Sequence, residues 1–265
     1  MKRKTLLVLA NSVTLLCMLL ANYAANARLF SDTTVAGVSY KYDTLFAPAG
    51  YAFTIWGVIF LLCISFVIYQ WYVVKNTTPN NNIQRTGLWF TISNLLNAAW
   101  LYCWLNDMIG WSVIAITFLL FCLVMLTIRL RLEIDDVPVR EIFFVWWPIS
   151  VYLGWIMVAT IACTAAWLTS LNWQGFHISN VVWTIAMIVI AGFLYILLVL
   201  GRNLRESALV GVWAFVAIAV RQWNDHGSIV VTAIVISALL LLIIGWHGYK
   251  NRRYNILFKL KRGEW

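Results

Sequence analysis

The chain has 265 residues, of which 63% are hydrophobic and only 11% are charged. A soluble domain is about 45–50% apolar and about 25% charged, so this composition cannot supply a water-facing surface. The 16 Trp, 14 Phe and 11 Tyr would leave large apolar patches exposed on a soluble fold. The sequence therefore predicts an integral membrane protein with almost nothing left over for a soluble domain.

Apolar segments long enough to cross a bilayer recur along the chain, since about 20 residues of helix span a 30 Å hydrocarbon core. Helices are expected because lipid offers no partner for a free backbone N–H or C=O. The run Leu239–Ile244 also lacks the alternation of a barrel strand. We predict an all-α membrane protein with eight transmembrane helices. Their approximate ranges are 5–27, 51–74, 87–105, 110–128, 142–168, 178–200, 207–223 and 228–248.

The first of these segments has two interpretations. The basic start Lys2–Lys4, an apolar run and the sequence Ala25–Ala27 together imitate a secretory signal with an Ala-x-Ala cleavage site. Cleavage there would remove residues 1–27 and leave seven helices. The apolar run is longer than the 7 to 15 residues of a usual signal, which favours a retained helix.

The basic residues divide unequally between the two sides of such a bundle. With a cytoplasmic N-terminus and eight helices, all of the 19 Lys and Arg except Arg28, Lys41 and Arg221 fall on the cytoplasmic side. We therefore expect both termini in the cytoplasm, in a multi-pass protein of a bacterial inner membrane. The net charge of +9 reflects this topology and attraction to anionic lipid, so no nucleic-acid partner is expected.

Side chains that could carry out catalysis or bind a metal are missing from the predicted spans. The 5 cysteines and 3 histidines show no metal-ligand spacing, and all 10 Asp and Glu fall in loops or termini. Ion-coupled transporters usually place a carboxylate or basic group inside the membrane. No nucleophile is paired with a base, and no glycine-rich phosphate loop is present. We predict no enzyme, no catalytic residue, no metal and no required cofactor.

Tryptophan is the residue type that these spans do supply at depth. Trp56, Trp100, Trp155, Trp183 and Trp213 lie too far from the predicted helix ends to belong to an interfacial aromatic belt. Buried indole N–H groups need hydrogen-bond acceptors. A shared aromatic cavity would account for them, and ordinary packing between helices would also account for them.

Three short motifs carry a resemblance to a known family. They are FAPAGYAFTIW at Phe46–Trp56, Asn-Ala-Ala-Trp at Asn97–Trp100 and Tyr-Leu-Gly-Trp at Tyr152–Trp155. In order and spacing they resemble the tryptophan-rich sensory protein/translocator protein family, also called the peripheral-type benzodiazepine receptor or TspO/MBR family. Two positions depart from the family's usual motifs. Tyr51 occupies a position where the family has Trp, and Val151 occupies the position of the Pro that precedes Tyr.

The resemblance implies a five-helix unit over residues 1–173, followed by an extension of three helices over residues 174–265. It implies a pocket for flat hydrophobic ligands such as porphyrins or sterols beneath the loop 28–50. The residues that it assigns to the walls of this pocket are Tyr51, Phe53, Trp56, Asn97, Trp100, Tyr152 and Trp155.

Two interpretations of the polar residues in the spans stay open. Asn97 would orient a ligand, or it would only bind neighbouring helices together, as membrane-embedded amides often do. Neutral polar residues in the spans would line a polar route, which leads to the alternative function of a multi-helix permease or scaffold for a solute. They are Asn11, Asn22, Asn94, Asn97, Gln222 and Thr232. The favoured function is a ligand-binding sensor or carrier for porphyrin-like molecules. The expected partners are the bilayer, a small hydrophobic ligand and, as an open alternative, a second copy of the chain.

Overall fold

The fold was obtained as a computed structural model, which describes residues 2–29, 31–76, 81–173, 175–252 and 256–264. Within these ranges the regular structure is helical throughout and contains no strand. In chain order the helices are α1 (Lys2–Asn26), α2 (Val35–Lys41), α3 (Ile55–Lys75), α4 (Asn82–Thr86), α5 (Trp89–Leu105), α6 (Ile109–Arg129), α7 (Val139–Glu141), α8 (Trp147–Ser170), α9 (Asn180–Arg202), α10 (Arg205–Arg221), α11 (Gly227–Lys250) and α12 (Ile256–Lys261).

Each of the eight apolar segments forms a long helix, which confirms the all-α class. Six helical spans are long and apolar enough to cross a bilayer: Lys2–Asn26, Gly50–Lys75, Ile109–Arg129, Val139–Ser170, Asn180–Arg202 and Gly227–Lys250. Helices α5 and α10 have 17 residues each, at the lower limit for a membrane span. Eight crossings therefore stay a prediction.

Local sequence explains where several helices begin and end. The Thr34 side chain caps α2 by accepting a hydrogen bond from the Gly37 N–H, and Ser179 caps α9 in the same way. Asn203 ends α9 in the left-handed conformation, with φ 60°. A π turn over Ile142–Trp146 precedes α8, next to Pro148, whose ring removes a backbone donor.

The long helices form two groups, whose main contact is between α8 and α10. In the first group, α5 packs against α1 and α6, while α8 packs against α3 and α6. In the second group, α9, α10 and α11 pack against one another, and α10 also packs against α8. The division at residue 173 stays a prediction, because α10 joins the second group closely to the first.

The crossing of α8 and α10 depends on a residue without a side chain. A Cβ added at Gly154 would lie 2.6 Å from the Ser207 carbonyl oxygen. The Tyr195 hydroxyl donates to the Gly154 carbonyl oxygen at 2.6 Å, and the Ser207 hydroxyl donates to the Ser150 carbonyl oxygen at 2.6 Å. Close backbone approach and hydrogen bonds thus hold the two groups together.

Residues 31–49, which include α2, form a segment across one end of the first group, and we call this the cover segment. The Lys41 ammonium forms an ion pair with Asp107 in the loop between α5 and α6. Tyr42 donates to the same carboxylate at 2.6 Å. These hydrogen bonds, led by that of Lys41, lower the pKa of Asp107.

Helix α10 holds the cover segment from the other side. The Arg221 guanidinium pairs with Asp43 at 3.2 Å and lies over the Tyr40 ring, 4.4 Å from its centroid. The Gln222 amide donates to the Leu45 carbonyl oxygen at 3.0 Å. The second helix group therefore contributes directly to closing the end of the first.

Candidate ligand-binding site

Three of the deep tryptophans converge below the cover segment, together with Phe53. Trp56 stacks on Trp100 with ring centroids 5.7 Å apart, and it meets Trp155 edge to face at 6.4 Å. Phe53 meets Trp155 edge to face at 6.0 Å. Trp100 and Trp155 are only 2% exposed, and Trp56 is 9% exposed. Helices α3, α5 and α8 thus supply one continuous aromatic cluster.

Two small cavities adjoin this cluster. The first has a volume of about 30 Å³ and is bounded by Phe53, Trp56, Trp100 and Trp155 together with Val35 of the cover segment. The second, between α1, α2, α3 and α5, has a volume of about 200 Å³. Val35, Phe53 and Trp56 line both cavities, so the two spaces adjoin at these side chains.

The indole N–H groups around the first cavity differ in their partners. The Trp100 Nε1 donates to the Cys163 sulfur at 3.4 Å, and the Trp104 Nε1 donates to the Val35 carbonyl oxygen at 3.1 Å. The buried Trp155 Nε1 has no hydrogen-bond partner in the described part of the chain. A buried donor without an acceptor costs roughly 1–3 kcal/mol, so an acceptor placed in this cavity would be stabilised.

Asn97 and Tyr152 line neither of these two cavities, although the Tyr152 ring meets Trp56 edge to face at 6.0 Å. The Asn97 Nδ2 donates to the Tyr152 hydroxyl at 3.0 Å, while its Oδ1 accepts from the Asn22 Nδ2 at 3.0 Å. Asn97 and Tyr152 are fully buried. This geometry favours the interpretation in which Asn97 joins α1, α5 and α8.

The remaining amides of the suggested polar route bind neighbouring helices as well. Asn11 donates to the Gln70 Oε1 at 2.9 Å and accepts from the Thr91 hydroxyl at 2.8 Å. Asn94 donates to the Thr14 hydroxyl at 3.3 Å. These contacts tie α1 to α3 and α5, while the buried Asn94 Oδ1 has no hydrogen-bond partner in the described residues.

Tyr51, Trp183 and Trp213 lie away from the cluster. Tyr51 is 40% exposed and meets Trp213 of α10 edge to face at 5.2 Å. The Trp213 Nε1 donates to the Ala52 carbonyl oxygen at 3.1 Å, and the Trp183 Nε1 donates to the Gly175 carbonyl oxygen at 2.9 Å. Of the seven residues predicted for the walls, three tryptophans and Phe53 are therefore close together at the cavities.

Sequence reasoning did not select Val35, Trp104 or Cys163 as wall residues, although they line the first cavity. A signal was present for Trp104, which follows Trp100 by four residues and so shares its helix face. The two rings stack at 6.4 Å. Val35 belongs to a short helix that hydropathy does not reveal. Within the described ranges, no group of three or more His, Cys, Asp or Glu could hold a metal ion.

Comparison with known protein families gives a match over most of the chain. The sequence model described as TSPO-like protein matches residues 8–246. The chain belongs to the TSPO-like protein family. The match begins within α1 and ends within α11, so this TSPO-like protein resembles its family across both helix groups. No curated protein and no solved structure matches the chain.

Family and helices together establish the class of molecule. The TSPO-like chain is an integral membrane protein that crosses the bilayer several times. Its aromatic cluster lies inside the first helix group, next to the segment that covers it. The site is thus a mostly apolar space lined by Trp155, whose buried N–H has no hydrogen-bond partner in the described part of the chain.

Proposed function

We propose that this TSPO-like protein is a membrane-embedded sensor or carrier that binds porphyrin-like or other planar hydrophobic molecules at the aromatic cluster. The observation that carries the proposal is the unpartnered Nε1 of Trp155 beside the stacked rings of Trp56 and Trp100. A flat ligand would gain stacking and apolar burial from the rings. A carbonyl or carboxylate on the ligand would accept the Trp155 hydrogen bond.

Cavity size adds a condition to this proposal. Pockets for drug-sized ligands usually measure about 300–1,000 Å³, whereas the two cavities measure about 30 and 200 Å³. A tetrapyrrole would therefore fit only after the rings of Phe53 and Trp56 turn aside and the cover segment moves outward. Smaller planar molecules would need less movement, so ligand size should affect the rate of binding.

Titration of the purified protein with protoporphyrin tests the proposal, with the absorbance of the porphyrin as the signal. Trp100→Leu keeps an apolar side chain but removes a ring whose stacking contributes about 0.5–1.5 kcal/mol per pair. We expect about fivefold to tenfold weaker binding, since 1.4 kcal/mol is a factor of ten. Trp173→Leu is the matched control, because Trp173 packs on Trp183 away from the cluster.

Equal weakening by both substitutions would show nonspecific partitioning of the porphyrin into detergent-covered aromatic surface. Unchanged affinity in Trp100→Leu would contradict binding at the cluster. Either result would favour the alternative function, a permease or scaffold for another solute.

A further inference from the structure

A second groove lies on the outer surface of the first helix group, away from the aromatic cluster. It runs between α3 and the π turn that precedes α8, and it has a volume of about 450 Å³. Its lining residues are Ser65, Ile68, Tyr69, Tyr72, Arg140 and Phe144. The groove extends over about two turns near the end of α3, which belongs to one of the spans apolar enough to cross a membrane.

The walls of the groove are apolar and face outward. Tyr69 stacks on Phe144 with centroids 5.6 Å apart and on Tyr72 at 6.1 Å. Ile68 is 63% exposed and Tyr72 is 48% exposed. Since Ser65 and Tyr72 are seven residues apart, the wall is about 10 Å long. A wall of this kind on a membrane helix contacts hydrocarbon.

One positive charge lies in this groove without a matching anion. The Arg140 Nε is buried and has no hydrogen-bond partner in the ranges that the structure describes, and Arg140 forms no ion pair there. The guanidinium shares a hydrogen bond with the Tyr69 side chain, and its Nε stays without a partner in the described residues. The adjacent carboxylate of Glu141 accepts a hydrogen bond from Asn82 at 2.6 Å. A partly buried guanidinium without an ion pair would be stabilised by an anion that reaches it.

The geometry points to an anionic phospholipid as the occupant of this groove. The planar guanidinium of Arg140 suits a phosphate group, which it can bind through two parallel hydrogen bonds. The acyl chain would lie along Ile68, Tyr72 and Phe144. A lipid fits better than a soluble anion because the groove opens on the exposed side of α3, and Lys75 at the end of this helix adds a second positive charge near head-group depth.

Native mass spectrometry of the full chain in detergent tests this inference. The protein is titrated with phosphatidylglycerol and, separately, with phosphatidylcholine, and the fraction with one bound lipid is measured. We expect the wild type to prefer phosphatidylglycerol and Arg140→Gln to lose about tenfold in affinity for it. Arg131→Gln is the matched control, since it removes an equal charge from an exposed arginine paired with Asp135.

The preference for phosphatidylglycerol over phosphatidylcholine is measured on the wild-type protein. This part of the test therefore does not depend on whether Arg140→Gln folds. Equal binding of the two lipids by the wild type would overturn the inference. Equal loss in Arg140→Gln and Arg131→Gln would also overturn it, because the effect would then be one of overall charge. Inorganic phosphate at millimolar concentration should leave bound phosphatidylglycerol in place. Displacement by phosphate would show a site for a soluble anion and contradict the lipid.

Discussion

At the scale of single residues, Trp155 and Asn97 show opposite uses of a buried polar group. Asn97 has protein partners for its oxygen and its nitrogen, so its amide stabilises the contact between helices. Trp155 lines the first cavity, and its N–H lacks such a partner in the described residues. Sequence spacing placed both residues at a similar depth, but it could not show which one was already hydrogen-bonded, because the partners lie on other helices.

Glu133, in the loop after α6, gives the molecule a pH-dependent stability. Burial, strengthened by the negative charge of Glu206, raises the pKa of Glu133 from 4.5 to about 7, while Arg205 and a hydrogen bond from Asn203 act in the opposite direction. The folded state therefore binds more protons than the unfolded state between these two pH values. The free energy of unfolding is expected to fall as pH rises from about 4.5 to 7.

Thermal unfolding in detergent at pH 5 and pH 7.5 measures this effect. Glu133→Gln should reduce the difference in midpoint between the two pH values. Asp135→Asn is the control, because hydrogen bonding from Arg131 lowers the pKa of Asp135, and that carboxyl stays ionised over the whole range. A wild-type midpoint that rises with pH would show that other groups dominate.

At the scale of helices, Arg221 connects the second group to the cover segment of the first. The sequence placed this arginine only on the side opposite the cytoplasm, whereas the structure pairs it with Asp43 and places it over the Tyr40 ring. Arg221→Gln should loosen residues 31–49 and speed amide hydrogen exchange in α2 by about tenfold, as expected for losing a contact of about 1.4 kcal/mol. Faster porphyrin binding should accompany it.

The control for this prediction is Arg129→Gln, since Arg129 donates to the Arg85 carbonyl oxygen near the opposite end of α6. That substitution should leave the exchange of α2 unchanged. Unaltered exchange in Arg221→Gln would mean that the Lys41 and Tyr42 contacts with Asp107 hold the cover segment by themselves.

Hydropathy predicts the long helices well and the short ones poorly. The ranges 110–128 and 228–248 correspond to α6 (Ile109–Arg129) and α11 (Gly227–Lys250), because apolar length is what a bilayer requires. Helix α2 has seven residues and depends on a Thr cap and on contacts with other helices. Short motifs were sufficient to propose that Trp56, Trp100 and Trp155 converge. The position of Trp213 away from the cluster depends on its contacts with Tyr51 and Ala52, which residue spacing does not show.

At the scale of the whole molecule, the central question is how often the chain crosses the bilayer. We expect eight crossings with both termini in the cytoplasm, because the distribution of Lys and Arg favours that arrangement. Alkaline phosphatase fused after Ser170 should be active, and the same reporter fused after Arg262 should be inactive. An active fusion after Arg262 would show that α5, α10 or another helix does not cross.

The most direct test of the ligand site is a porphyrin titration of Trp155→Phe beside Trp213→Phe. Trp155→Phe keeps an aromatic ring at the cluster and removes the N–H that lacks a partner. Trp213→Phe removes an N–H already bound to the Ala52 carbonyl oxygen outside the cavities. Binding about fivefold to tenfold weaker in Trp155→Phe alone is expected for the loss of one ligand hydrogen bond. Wild-type affinity in Trp155→Phe would contradict the proposed site.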